Sequence, residues 1–137
     1  MTDDRAAPTF VVGLGCQRGC PVSTLRALLD QVLQAHQIER VQIKALASID
    51  LKRDEAGLIE LAAQLELPLT YFSSDQLAVF EPRLSHHSQI AFERTGCYGI
   101  AESAALALAE RLAGTSASLL ITRQKYAQAT LALACAT

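Results

Sequence analysis

The sequence predicts an α/β fold: a three-layer α/β/α sandwich around a mainly parallel sheet of about five strands. Three observations carry that expectation. Short runs of β-branched, aromatic and aliphatic residues recur between segments whose apolar residues repeat every three or four positions, the alternation that builds a parallel sheet. The first run, TFVVGL from Thr9, is apolar throughout, as a strand covered on both faces must be. Half of the 137 residues are hydrophobic and 19% are charged, a globular composition for one domain, 1–137, with a flexible start over 1–8.

Each element follows in order. Residues 9–14 form the first strand. After a loop containing Gly15 and Gly19, Ser23 or Thr24 is placed to cap a helix whose inward stripe is Leu25, Leu28, Leu29, Val32 and Leu33, ending near His36. Residues 41–46 give a second strand and 54–65 a second helix, with Leu58, Leu61, Ala62 and Leu65 inward and Pro68 ending it. A third strand, 69–72, leads into one or two helical turns closed by Pro82, then into a short helix over 88–94 that Gly96 ends. The stretch IAESAALALAERL, 100–112, is apolar over most of its circumference, so it is buried or faces another subunit. Residues 119–123 and 129–134 are the last two strands, read as an antiparallel pair closing the sheet.

Charge and composition bound the function. A net charge of -2 argues against a nucleic-acid coat or a polybasic membrane patch. No apolar stretch approaches the roughly 18 residues of a membrane span, and the polar start lacks a signal core, so a cytoplasmic protein with reduced thiols at Cys16, Cys20, Cys97 and Cys135 is expected.

In a sheet of this kind ligands bind beyond the carboxyl ends of the strands, where the loop Gly13–Gly19 falls. The dinucleotide fingerprint requires its third glycine at Arg18, and Gly19 comes one residue late; a phosphate loop lacks its lysine. A radical-type iron–sulfur cluster lacks a third cysteine at Ser23, and a zinc site from Cys16, Cys20 and His86 or His87 has unusual spacing. No cofactor or metal is therefore expected. Two more stretches fall at strand ends or helix starts. SIDLKRDE, from Ser48 to Glu55, reads either as helix capping with ion pairs or as a ligand edge. RTGCYGIAE, from Arg94 to Glu102, sets Cys97 before a helix, where a quiet thiol is the ordinary reading and a nucleophile the sharper one.

Taken together, VGLGCQRGCPVSTLRALL, ALASIDLKRDEAGLIELAAQLELPLTYFSSDQL and TGCYGIAESAALALA, followed by a lysine and a closing TLALA strand, resemble the CobE/CbiG C-terminal domain family of cobalamin biosynthesis. The resemblance runs from Phe10 to Ala134 and rests on the order and spacing of the segments. CbiG proteins carry this domain behind another and open the lactone of cobalt-precorrin-5A with release of acetaldehyde. CobE proteins are the stand-alone form, and this chain has the length of the single domain. The resemblance implies a precorrin or corrinoid ligand; charge and apolar run length imply no nucleic acid and no membrane, and a further reading makes the chain a non-catalytic partner that docks through the alanine-rich helix onto a methyltransferase or amidase of the pathway. The resemblance assigns ligand binding to Gly13, Gly15, Cys16, Arg18 and Gly19, to Ser48, Lys52 and Glu55, to Gly96 and Gly99, and to Lys125, and Cys97 between the last two glycines is counted with them. Corrin intermediates carry acetate and propionate chains around a wide apolar ring, which an arginine grips at two points and lysines meet as point charges. An enzymatic alternative, a lactone-opening hydrolase step, places acid/base roles on Asp50 and Glu102.

Overall fold

A computed structural model of the chain describes residues 8–96 and 98–136. Five strands, β1 (Thr9–Cys16), β2 (Ile43–Ile49), β3 (Leu69–Phe72), β4 (Ser118–Tyr126) and β5 (Ala129–Ala136), form one sheet in the order β3-β2-β1-β5-β4. The β3–β2 and β2–β1 pairs are parallel, and β5 is antiparallel to both β1 and β4. Four of the strands thus point the same way and β5 alone runs against them, which bears out the α/β sandwich and its closing antiparallel pair.

Two helical layers cover the sheet. On one face lie α1 (Val22–Ala35) and α2 (Ala56–Leu65), and the stripe Leu25, Leu28, Leu29, Val32 and Leu33 packs on Phe10, Val12 and Leu14 of β1 and on Leu131 and Leu133 of β5. The other face carries α5 (Ile100–Ala113), with the short helices α3 (Ser74–Ala78) and α4 (Gln89–Thr95) before it in the chain. This second face is rich in small residues, Ala45 and Ala47 of β2, Ala134 and Ala136 of β5, and Gly13 of β1, beside the larger Val11, Ile49 and Phe72. Because successive strand residues point to opposite faces, the Leu-Ala alternation of β5 gives one face bulk and the other a shallow bed. A Cβ built at Gly13 would lie inside contact distance of the Ala101 carbonyl oxygen and 2.7 Å from the Ala105 nitrogen, so α5 rests backbone-to-backbone on β1.

Helix α5 therefore differs from one of the readings above. Every residue from Ala101 to Ala109 is buried within this chain, against the sheet below and the 73–88 segment, where Arg83 and Ser85 bond to Glu110 and Glu102 of the helix. Its apolar circumference is consumed by the chain's own core, which removes it as the docking surface for a pathway enzyme.

Smaller departures have local causes. The first helix starts at Val22, because the Pro21 carbonyl already accepts from the amides of Thr24 and Leu25; Ser23 and Thr24 lie within the first turn, and Pro21 offers no side-chain cap. The second strand starts two residues later than the apolar pattern suggests. A 3-10 turn, Arg40–Gln42, closed by reciprocal Glu39 and Gln42 bonds, takes Val41 out to solvent, and pairing with Thr70, Tyr71 and Phe72 carries β2 on to Ile49. The expected flexible start lies outside the described residues, apart from Pro8.

Candidate functional site

Beyond the carboxyl ends of β1 and β2 lies an open cleft of about 500 Å³. The topology assembles it from distant stretches. The β1–β2 ladder ends at the Gly13–Ala47 pair, and the buried Ser48 hydroxyl then donates to the Leu14 carbonyl at 2.7 Å. The loop after β1 turns at Gly19, whose φ of 79° is the left-handed conformation that glycine accepts at no steric cost. The Gly19 amide donates to Glu55 at 3.0 Å, joining the loops after β1 and β2. From the antiparallel side, the β4–β5 hairpin brings its tip to the same edge, and the Gln17 amide donates to the Gln128 carbonyl at 2.9 Å. The helix-bearing segment closes the remaining side, with the Ser88 amide donating to the Tyr98 carbonyl at 2.9 Å.

Of the residues expected to form a site, Gly15, Cys16, Arg18, Lys52, Gly99, Glu102 and Lys125 line this cleft. Others lie elsewhere for identifiable reasons. Gly13 is sealed under α5, and Ser48 is buried in the β1–β2 seam. Gly19 and Glu55 are occupied with one another, Gly96 caps α4 in the left-handed region, and Asp50 opens the 3-10 turn Asp50–Lys52 without lining the cleft. Cys97 lies outside the described residues.

The cleft also holds residues that the sequence reading passed over: Arg94 and Ile90 on α4, Tyr98 before α5, Leu51 after β2, and Arg123 on β4. With Arg18, Lys52 and Lys125 this makes five cationic side chains around one opening, none in an ion pair among the described residues. Leu51 and Ile90, 62% and 64% exposed, offer apolar surface beside them, and Tyr98 is stacked on Phe92 with ring centres 4.4 Å apart. The first turn of α5, Ile100 to Glu102, forms part of the wall, so a helix N-terminus opens onto the same space.

Among the described residues Glu102 is the one acid in the lining, and it is 1% exposed. Its Oε1 accepts from the Ser85 amide at 2.8 Å, and its Oε2 from the Arg123 amide at 2.8 Å and from the Ser85 hydroxyl. Burial favours the protonated form, but these bonds outweigh it and hold the carboxyl below its ordinary pKa. Cys16 has the opposite character: burial first, then Cys20 and Glu55, push its thiol up to about 12 against the pull of Lys52, so it remains protonated at neutral pH. Cys20 is packed in the core, His86 Nδ1 lies 2.6 Å from the Ser85 hydroxyl, and His87 meets the Tyr98 ring edge-on. Among the described residues no three His, Cys, Asp or Glu side chains gather as metal ligands would, and no helix is long and apolar enough to cross a membrane.

Comparison with known proteins agrees with this architecture. The family described as "Cobalamin synthesis G C-terminus" matches residues 10–134. A crystal structure of CobE, a protein from the cobalamin (vitamin B12) biosynthetic pathway, superposes with a TM-score of 0.90 at 45% identity, covering 94% of each chain. Protein CobE from a Sinorhizobium species is 32% identical over 95% of this chain and 82% of its own length. The cobalt-precorrin-5A hydrolase of Priestia megaterium is 32% identical over 71% of this chain, which spans only 25% of that longer protein. With a family match over nearly its whole length and a fold shared with CobE, this chain belongs to the CobE/CbiG C-terminal domain family and is a cobalamin biosynthesis protein of the CobE type.

Proposed function

We propose that the cleft binds a precorrin or corrinoid intermediate through its peripheral carboxylates. The observation that carries this reading is the convergence of five cationic side chains, without ion-pair partners among the described residues, on a cleft with an apolar margin. Unpaired like charges repel one another, and an anion with several arms relieves that repulsion at every point it reaches. Each charge-assisted hydrogen bond contributes about 1.5–3 kcal/mol before desolvation is subtracted. Two or three of them orient a ring whose flat apolar body rests on Leu51, Ile90 and Ile100.

Two features favour binding over turnover by this chain alone. The Glu102 carboxylate is committed to hydrogen bonds from Ser85, His86 and Arg123, and the Cys16 thiol is held protonated, so neither is a ready base or nucleophile. The test is an absorption titration of the purified protein with hydrogenobyrinic acid. Saturable spectral change is expected, with Arg18→Ala and Lys52→Ala each weakening it about tenfold and the affinity falling as salt rises. Full affinity in both variants sinks the assignment of this cleft. A change of mass on incubation with a ring-contracted precorrin would instead restore the hydrolase reading.

A further inference from the structure

The cleft has two basic walls that do not belong to the same part of the sheet. Arg94 stands on α4, a helix with no buried residue, reached through the segment that follows Leu84. Arg123 and Lys125 stand on β4, an edge strand whose ladder with β5 is irregular on either side of Ile121. Between them lies the first turn of α5, fixed to β1 by the close approach at Gly13. One side chain of that turn reaches both walls. Oε1 and Oε2 of Glu102 accept from the amide and hydroxyl of Ser85, and Oε2 also accepts from the amide of Arg123 itself.

We infer that Glu102 is a positioning residue for the ligand cleft, tying the segment that leads to α4 and the backbone of β4 to one fixed turn and so setting the spacing of the two basic walls. This rests on the binding reading above. The donors explain why the residue is a glutamate. The amides of Ser85, His86 and Arg123 and the Ser85 hydroxyl all donate to its two oxygens, and a carboxylate is acceptor-only at both. An isosteric amide must turn its NH2 group toward either the Ser85 amide or the Arg123 amide, and whichever wall it faces loses its amide bond to the turn. The depressed carboxyl pKa is consistent with that geometry, since the bonds persist as long as the group is charged. Glu102 needs no contact with the ring to act in this way; it acts through Arg94, Arg123 and Lys125.

The experiment is a double-mutant cycle read by hydrogenobyrinic acid titration, with thermal unfolding of every variant in parallel. Glu102→Gln is expected to bind about tenfold more weakly while still unfolding cooperatively. Arg123→Ala is expected to weaken binding by a similar factor. Since one residue acts through the other, the double variant should lose clearly less than the product of the two factors. A purely structural role lowers the unfolding temperature but leaves the two binding losses multiplicative, and that result overturns the inference. So does wild-type affinity in Glu102→Gln. Should Glu102→Gln fail to fold, Ser85→Ala removes one tether at an exposed position; a severalfold loss of affinity supports the inference and no loss overturns it. Absence of any binding by the wild-type protein is a different result: it removes the cleft reading, and the positioning role with it.

Discussion

Helix α5 buries nine consecutive residues, Ala101 to Ala109, whereas the short helix α4 just upstream buries none, and both border the same cleft. Their compositions explain the contrast. The alanines of α5 let it settle onto a bed of Gly13, Ala45, Ala47 and Ala134, where backbone meets backbone and little can move. On α4, Ile90 is 64% exposed and Phe92 39%, and its attachments include the Ser88–Tyr98 backbone bond and the Phe92–Tyr98 stack. One helix supplies a rigid floor; the other presents side chains that the fold itself does not consume.

The sharpest way to break the comparison is at the floor. Gly13→Val sets a branched side chain against the Ala101 carbonyl and the Ala105 nitrogen, backbone atoms that cannot rotate away. A loss of roughly 3 kcal/mol or more is expected in urea unfolding, at or beyond the upper end of ordinary overpacking. A loss below about 1 kcal/mol would mean that α5 lifts freely from β1 and is no floor at all.

A matched pair sharpens the contrast. Leu106, 1% exposed in the middle of α5, should cost about 2–5 kcal/mol of stability when cut to alanine, through lost burial and the cavity left behind. Ile90→Ala on α4 should change stability by no more than about 0.5 kcal/mol, yet weaken hydrogenobyrinic acid binding severalfold by removing apolar surface that the ring covers. Equal stability losses in the two variants would erase the distinction between floor and wall.

The same contrast marks what was legible in the sequence. Elements with strong local periodicity could be read directly: the stripe of α1, the short β3 and the Gly96 end of α4 all stand where the residues indicate. The loops expected at one edge do meet there, with Arg18, Lys52, Gly99 and Lys125 around a single opening. Arg123 was hidden because irregular pairing around Ile121 changes which face each β4 residue presents, and a period-of-two pattern cannot be followed through it. Arg94 and Ile90 were hidden because α4 is placed by the Ser88–Tyr98 backbone bond and by the preceding segment that Glu102 holds at Ser85, and not by an apolar pattern of its own. Gly13 falls both in the first strand, 9–14, and in the loop assigned to the ligand; a glycine inside a strand run more often marks close backbone approach, and the small residues of β2 and of the alanine-rich helix are the available signal.

The smallest expected effect concerns how the wall is fastened to the floor. Glu102 has its folded pKa held below the ordinary carboxylate value, so its bonds contribute fully above that value and are lost as pH falls through the folded one. Glu110, held down first by the Ala117 amide and then by Arg83, adds a contribution of the same sign at the far end of α5. Protonating Glu102 leaves α5 on its alanine bed but puts a hydrogen where Ser85 and Arg123 donate, so the segment leading to α4 should loosen first. Hydrogen exchange, corrected for its intrinsic pH dependence, should therefore rise across 85–95 in mild acid while 104–109 stay protected. Glu102→Gln should make exchange across 85–95 fast at neutral pH and flat through the acid range. Uniform loosening of both helices would show that α4 and α5 open as one body, and the tether would then have no separate wall to hold.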